Sequence, residues 1–252
     1  MRDYQPSPDL LKGRTILVTG AGDGIGREAS IAYATHGATV VLLGRTLAKL
    51  EKVYDEIEEA GGVQPAIYPM NLEGATDHDY YELAETLGKE FGRLDGLLHS
   101  AAQLRLLSRI DDYDIETWFQ VMQVNLNGPF MLTQACLPLL KQSDDASIVF
   151  TSDSVGRKAK AYWGAYAVSK FGIEGFMQLL AEETRESTNI RVNSVDPGPT
   201  RTKLRAAAYP GENPEVNKTP DTLMPFYLWL MGPDSTGTTG EALTAELWGG
   251  AE

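Results

Sequence analysis

A glycine-rich turn caught between an apolar run and a helical pattern constrains this chain more than any other feature. Residues 14–19, Arg-Thr-Ile-Leu-Val-Thr, form a short β-branched run that stops at Gly20. Such a run predicts a strand buried on both faces. From 24 to 36 apolar residues recur at helical spacing, and His36-Gly37 ends that segment with a glycine cap. Between the two stands Thr19-Gly20-Ala21-Gly22-Asp23-Gly24-Ile25-Gly26. Glycine there lets the chain turn sharply and lets a pyrophosphate come close to the backbone. The helix start then offers unpaired N–H groups and the positive end of its dipole. A glycine-rich run by itself also makes ordinary turns; its weight here comes from the strand before it and the helix after it. A dinucleotide site is predicted at Gly20, Gly22, Asp23, Gly24, Ile25 and Gly26.

The same alternation continues along the chain. Strands are predicted near 38–43, 64–69, 95–99, 146–151, 190–195 and 241–247. Helices are predicted near 46–60, 76–91, 115–142, 163–187 and 221–231. Strands that alternate with helices imply right-handed βαβ units, and so an α/β fold: a doubly wound parallel sheet with helices on both faces. With 252 residues and no Gly/Ser/Pro linker, residues 1–252 are read as a single domain. One stretch breaks the rhythm. Residues 197–220 are rich in Pro, Gly, Asn and charge, and they follow the carboxyl end of a strand, where ligands bind in open α/β sheets. They are read as a substrate loop, with a mobile surface loop as the other reading.

Composition limits the partners. Hydrophobic residues make up 42% and charged residues 23%, as in an ordinary globular protein. The net charge of -13 argues against nucleic acid and anionic membrane as partners, because it repels phosphate. An anionic cofactor then needs a local positive site. The single cysteine, Cys136, cannot form an intrachain disulfide and reads as a core residue. Met1 to Asp9 holds no apolar stretch, no run is long enough to span a membrane, and a cytoplasmic location is the expectation. His36, His78 and His99 lack metal-ligand spacing, so no metal is inferred. Asp111-Asp112-Tyr113-Asp114 reads as a helix-capping turn, and Trp229 as core or subunit contact.

Two further features bear on chemistry. An acidic residue at the end of the second strand would bond a ribose 2′-hydroxyl and repel a 2′-phosphate. This chain has Leu43-Gly44-Arg45-Thr46 there. Arg45 offers a planar cation suited to phosphate, which favours NADP(H) over NAD(H). The competing reading pairs Arg45 with an acid on the next helix. Farther on, Tyr166-Ala167-Val168-Ser169-Lys170 opens a predicted helix, and the four-residue offset puts phenol and ammonium on one face. A cation beside a phenol favours the phenolate, and a tyrosine so tuned can exchange a proton with a carbonyl or hydroxyl oxygen. With 11 tyrosines such a spacing also arises by chance. Its place after a buried strand gives it weight.

Thr19-Gly20-x-x-x-Gly24-x-Gly26 together with Tyr166-x-x-x-Lys170 resembles the short-chain dehydrogenase/reductase family over nearly the whole chain. The resemblance implies a single-domain Rossmann fold and an oxidoreductase that interconverts a small-molecule carbonyl and alcohol. It further implies a water-relay role for Asn125 and a ribose contact for Lys170. Pro197, Gly198, Thr200 and Thr202 resemble the segment beside the nicotinamide, with Thr202 at its carboxamide. Asn71, with Leu72 beside it, stands where an aspartate commonly meets the adenine. Ser100-Ala101-Ala102 stands where the family carries Asn-Ala-Gly against the adenine-side ribose. Leu10 to Arg14, Phe150 to Ser152 and Met224 to Leu230 resemble one bacterial subgroup of the family. A homodimer or homotetramer is implied as well.

One departure touches the chemistry itself. The family's catalytic serine follows the fifth strand. Read without gaps, Thr151-Ser152-Asp153-Ser154 puts Asp153 in that place, thirteen residues before Tyr166. A hydroxyl both donates and accepts, whereas an ionised carboxylate only accepts, and it would raise the Tyr166 pKa against Lys170. Three outcomes stand open. Ser152 or Ser154 takes the role; Asp153 is protonated or selects a cationic substrate; or turnover is poor and the chain is an NADP(H)-binding sensor or structural protein.

Overall fold

The computed structural model describes residues 4–248. Strand β1 (Thr15–Thr19) shows why this sequence makes a two-sided sheet. Its side chains alternate, with Ile16 and Val18 entering one buried layer and Leu17 the other. Each fully buried side chain of this kind contributes roughly 1.5–3 kcal/mol. The other strands are β2 (Thr39–Gly44), β3 (Ala66–Pro69), β4 (Gly96–His99), β5 (Ala146–Thr151), β6 (Ile190–Asp196) and β7 (Ala242–Thr244). All pairings are parallel, and the seven strands run in the order β3-β2-β1-β4-β5-β6-β7. The sequence-predicted fold class is the one observed, a Rossmann-type sheet with helices on both faces.

Helices α1 (Gly24–Thr35), α2 (Leu47–Glu59) and α8 (Met224–Met231) bring Tyr33, Ile57 and Leu230 onto the Ile16/Val18 face. Helices α3 (Asp77–Phe91), α5 (Gly128–Leu140) and α6 (Gly164–Thr184) bring Leu83, Leu132 and Met177 onto the Leu17 face. Order in the sheet reverses at β1, which has β2 on one side and β4 on the other. Connections leave in opposite directions there, so a crevice opens beyond the carboxyl ends of the strands. The segments after β1, β4, β5 and β6 begin at Gly20, Ser100, Ser152 and Pro197, and all four border that crevice.

Three elements differ from the sequence expectation. The helix expected over 115–142 is broken into α4 (Ile115–Met122), a π-helical turn (Gln123–Asn127) and α5. The wider turn re-aims Asn125 inward, where the side chain is 2% exposed. The expected strand at 241–247 ends at Thr244 and gives way to a single helical turn, α9 (Ala245–Trp248). That turn stacks Trp248 on Phe226 with ring centroids 4.6 Å apart. Residues 197–220 are not irregular throughout, for they contain α7 (Lys203–Ala208) and a short 3₁₀ turn, Pro214–Val216.

Several residues are structural. Trp229 lies in the core. Asp114 caps α4, its carboxylate accepting from Thr117 N–H at 2.7 Å. Buried Cys136 has its thiol pushed up to about 12 by burial. His99 stacks on Phe150 at 4.7 Å, and burial takes its pKa down to about 3, so the ring is neutral. No helix among the described residues is long and apolar enough to cross a membrane.

Candidate active site

The crevice is a cleft of about 570 Å³, within the range of small-molecule sites. It runs from the glycine-rich turn and Arg45 to Tyr166 and Lys170. Asn71, Leu72, Ser100, Ala101 and Ala102 line its wall between those ends.

At one end the turn is built as its glycines require. Gly20 has φ +68, and a Cβ on it would lie 2.9 Å from Ala101 Cα. A Cβ on Gly26 would lie 2.5 Å from Gly20 O, so α1 starts hard against the turn. Thr19 Oγ1 accepts from both Ser100 N–H and Ala101 N–H at 3.1 Å, which ties the ends of β1 and β4 together. Asp23 caps α1 by accepting from Gly24 N–H at 3.0 Å. Its other oxygen accepts from Lys49 Nζ at 2.8 Å and Lys203 Nζ at 2.6 Å. Partial burial pushes the Asp23 pKa upward, but the two lysines overcome this and hold it below the usual range. Arg45 is exposed at the cleft and makes no ion pair among the described residues. The competing reading, in which an acid on α2 occupies it, is not what the geometry has. A free cation, two lysines and a cradle that only glycine permits fit a dinucleotide carrying an extra phosphate.

At the other end, α6 carries Tyr166 and Lys170 on one face, both buried. Lys170 Nζ donates to Thr151 O at 2.7 Å and lies 5.5 Å from the centroid of the Tyr166 ring. The phenol O–H donates to Asp153 Oδ2 at 3.2 Å. Asp153 Oδ1 accepts from Val155 N–H at 3.0 Å and from Ser154 Oγ at 3.2 Å. Thus Asp153 faces the phenol. Ser154 is exposed and bonded to Asp153, while Ser152 Oγ is buried with no hydrogen-bond partner among the described residues. Burial comes first in raising the Tyr166 pKa well above its ordinary value; the charge and hydrogen bond of Asp153 add to it, and the charge of Asp196 adds further. Burial brings Lys170 down to about 8, against the pull of Asp153, Glu174 and Asp196. The phenol is therefore tuned upward, opposite to what a lysine neighbour alone implies, because it is buried and a carboxylate accepts its hydrogen bond.

Asn125 is fully engaged. It accepts from Gln103 N–H at 2.7 Å and donates to Gln103 O at 3.0 Å and Ser169 Oγ at 3.1 Å. Ser169 Oγ in turn donates to Tyr166 O at 2.7 Å, so Asn125 fixes the start of α6 against the 101–109 segment.

Residues 197–220 fold over the cleft as a knit unit. Thr202 caps α7 through Arg205 N–H at 3.2 Å, and its methyl carbon would lie 3.3 Å from a Cβ on Gly24. Arg205 grips Glu212 with two bonds of 2.7 and 2.6 Å. Pro197, Gly198, Thr200, Thr202, Leu204 and Tyr209 line the cleft. Trp163, 5.5 Å from Tyr166 and 5.9 Å from Tyr209 between centroids, completes an aromatic wall.

Among the cleft residues that sequence reasoning missed are Lys49, Trp163 and Asp196, and Lys203 was covered only as part of residues 197–220. Asp196 left a signal, because a carboxylate closing the apolar β6 run is rarely buried without a reason. The lysines left none, for Lys203 on α7 reaches Asp23 across 180 residues of sequence, where Lys49 of α2 meets it.

The short chain dehydrogenase family model matches residues 14–213. The chain is 51% identical over 243 residues to the oxidoreductase YciK of Escherichia coli (strain K12), covering 96% of each chain. The subgroup suggested by the terminal and strand-end segments is thus the one found. A short chain dehydrogenase from Pseudomonas syringae superposes with a TM-score of 0.94 at 58% identity, covering 96% of this chain and 98% of that one. Another, from Shigella flexneri in complex with NADP, does so with a TM-score of 0.92 at 50% identity, covering 95% and 100%.

Proposed function

The chain belongs to the short-chain dehydrogenase/reductase family of oxidoreductases, and from that premise we propose that it interconverts a small-molecule carbonyl and alcohol with NADP(H) as cofactor. The observation that carries this reading is one cleft holding a glycine cradle with a free Arg45 at one end and Tyr166 with Lys170 at the other. The NADP complex of the Shigella flexneri protein supports the cofactor. When bound, the nicotinamide supplies or takes the hydride.

The residues divide the remaining work. Backbone amides from Gly20 to Gly26 and the start of α1 hold the diphosphate. Arg45 holds the 2′-phosphate and sets the preference over NAD(H). Asn71, Leu72, Ser100 and Ala101 border the adenosine half. Pro197, Gly198, Thr200 and Thr202 border the nicotinamide half, and Lys170 anchors its ribose. Tyr166 gives its proton to a carbonyl oxygen in reduction, or takes one from an alcohol in oxidation. Asn125, whose side chain is taken up by Gln103 and Ser169, serves the relay behind Lys170 by fixing the start of α6. Asp153 accepts from Tyr166 and can accept from an alcohol O–H, while a carbonyl oxygen takes its second hydrogen bond from the Ser152 or Ser154 hydroxyl. Residues 197–220 close over the substrate within a single domain that spans 1–252, of which 1–3 and 249–252 lie outside the described residues.

A second copy of the chain is the natural partner. Phe119, Phe130, Val168, Phe171 and Leu179 on α4 to α6 are large apolar side chains left exposed. Sedimentation should give a dimer or tetramer at micromolar concentration, and a Leu179→Glu protein should dissociate. A monomeric wild type would remove this part.

The Asp153–Tyr166 hydrogen bond also favours a second reading, a cofactor-binding sensor or structural protein of weak turnover. NADPH oxidation against a panel of aldehydes and ketones separates the two. Tyr166→Phe should lower the rate by roughly 10²–10⁴-fold and leave NADPH affinity unchanged. If no carbonyl turns over while NADPH binds, the sensor reading stands.

A further inference from the structure

Two carboxylates share the tyrosine end of the cleft, and neither makes an ion pair among the described residues. Asp196 is 8% exposed. Its Oδ1 accepts from Gly198 N–H at 2.9 Å, and Oδ2 has no hydrogen-bond partner among the described residues. Asp153 accepts from Tyr166, Ser154 and Val155 and makes no ion pair there. Both line the cleft, and burial, with the charge of Asp153 adding to it, pushes the Asp196 carboxyl above the ordinary carboxylate range. The basic groups of this region are otherwise engaged. Arg157 is bound to Glu174 at 3.0 Å. Arg205 is bound to Glu212, and Lys160 Nζ donates to Tyr209 OH at 3.1 Å. Among the described residues Lys170 is the cation left at the floor; both carboxylates act on it, and its Nζ donates to Thr151 O. Two carboxylates that share one ammonium leave the floor net negative, and buried negative charge is costly unless something further positive arrives.

We infer that Asp153 and Asp196 make the site prefer the oxidised form of its dinucleotide, so that the bound cofactor is a stronger hydride donor than the free one. This rests on the cofactor reading above, in which the nicotinamide lies against the segment that starts at Pro197. The oxidised ring carries a positive charge and the reduced ring is neutral. Carboxylates beside it therefore stabilise the oxidised form, and the potential of the bound couple falls. In reduction the hydride pair passes from the ring to the carbonyl carbon, the carbon–oxygen π bond breaks, and the oxygen takes the Tyr166 proton. The positive charge left on the ring then faces the two carboxylates. The same interaction opposes the reverse direction.

The ratio of the two dissociation constants isolates this effect. NADP⁺ and NADPH share the adenine, both riboses and all phosphates, so every contact at the glycine end cancels. NADPH affinity is read from its fluorescence and NADP⁺ affinity by calorimetry, on the full chain at pH 8. The wild type should bind NADP⁺ more tightly than NADPH. Asp196→Asn should shift the ratio toward NADPH by roughly tenfold, which is about 30 mV for a two-electron couple. Asp153→Asn, at a half-buried position, should shift it the same way and serves if the first variant does not fold. A wild-type ratio of one overturns the inference, as do variants that weaken both forms equally. If the wild type binds neither form, the cofactor reading itself fails.

Discussion

The glycine end of the cleft and its tyrosine end are built on opposite electrostatic plans. At the glycine end the polar work is done by backbone: amides of a tight turn, a helix start, and cations that converge from α2 and α7 on Asp23. It leaves Arg45 free and suits an anion. At the tyrosine end the fixed charges are mostly negative, and Asp153 takes the hydrogen bond that would otherwise be open to a substrate oxygen. The chain as a whole carries a net charge of -13, so the first end must concentrate positive charge locally, while the second needs no such help to be acidic. The first end depends on space and backbone shape. The second depends on which ionisable groups face each other after burial, and there a one-residue change alters the chemistry.

The comparison can be broken first at the cradle. Gly20→Ala puts a methyl carbon 2.9 Å from Ala101 at φ +68. It should cost about 2–4 kcal/mol in denaturant unfolding and abolish NADPH binding. A protein of unchanged stability that still binds NADPH would show that close approach is not what the glycine serves. Arg45→Ala should come next in size. It removes one charged contact and should weaken NADPH by about tenfold to a hundredfold with NADH unchanged. Equal loss for both cofactors would leave no basis for the NADP(H) preference.

The smallest effect lies at the acidic end. Asp153→Ser removes the charge and hydrogen bond that help to raise Tyr166, so the phenol pKa must fall. The alkaline limb of the pH–rate profile should move to lower pH, and turnover at pH 7 should rise severalfold. A profile that stays in place, or moves upward, would mean that Asp153 is not acting on the phenol. The Lys170 ammonium is stabilised by Asp153, so its value of about 8 should drop in the same variant, and the acid-side anchoring of the ribose should weaken above neutrality.

Much of this is legible in the sequence. Residues 14–26 specify strand, turn and helix, because a buried β-branched run, a glycine at positive φ and a helical apolar stripe are local demands. Arg45 could be weighed as a phosphate ligand from its place alone. Position 153 could be flagged by its distance from Tyr166, yet three groups remained open for one role, because a one-residue shift in a loop exchanges them. The helix break at Gln123–Asn127 was missed although Gly128-Pro129 follows it directly, for that pair shows that a helix is interrupted and not that the interruption is a π turn. Nor was the helix inside 197–220, whose cap at Thr202 is common chemistry in an unremarkable setting.

By itself the sequence determined the alternation of strand and helix, the turn that only glycine can make, and the pairing of phenol and ammonium on one helix face. These follow from torsion angles and from periodicity within a few residues. Only the tertiary structure decided that Asp153 meets the Tyr166 hydroxyl, that Asp196 is buried beside them, and that Lys203 crosses to Asp23. Those meetings join the ends of separate strands, and a charge takes its effect from neighbours that packing, and not chain order, brings near.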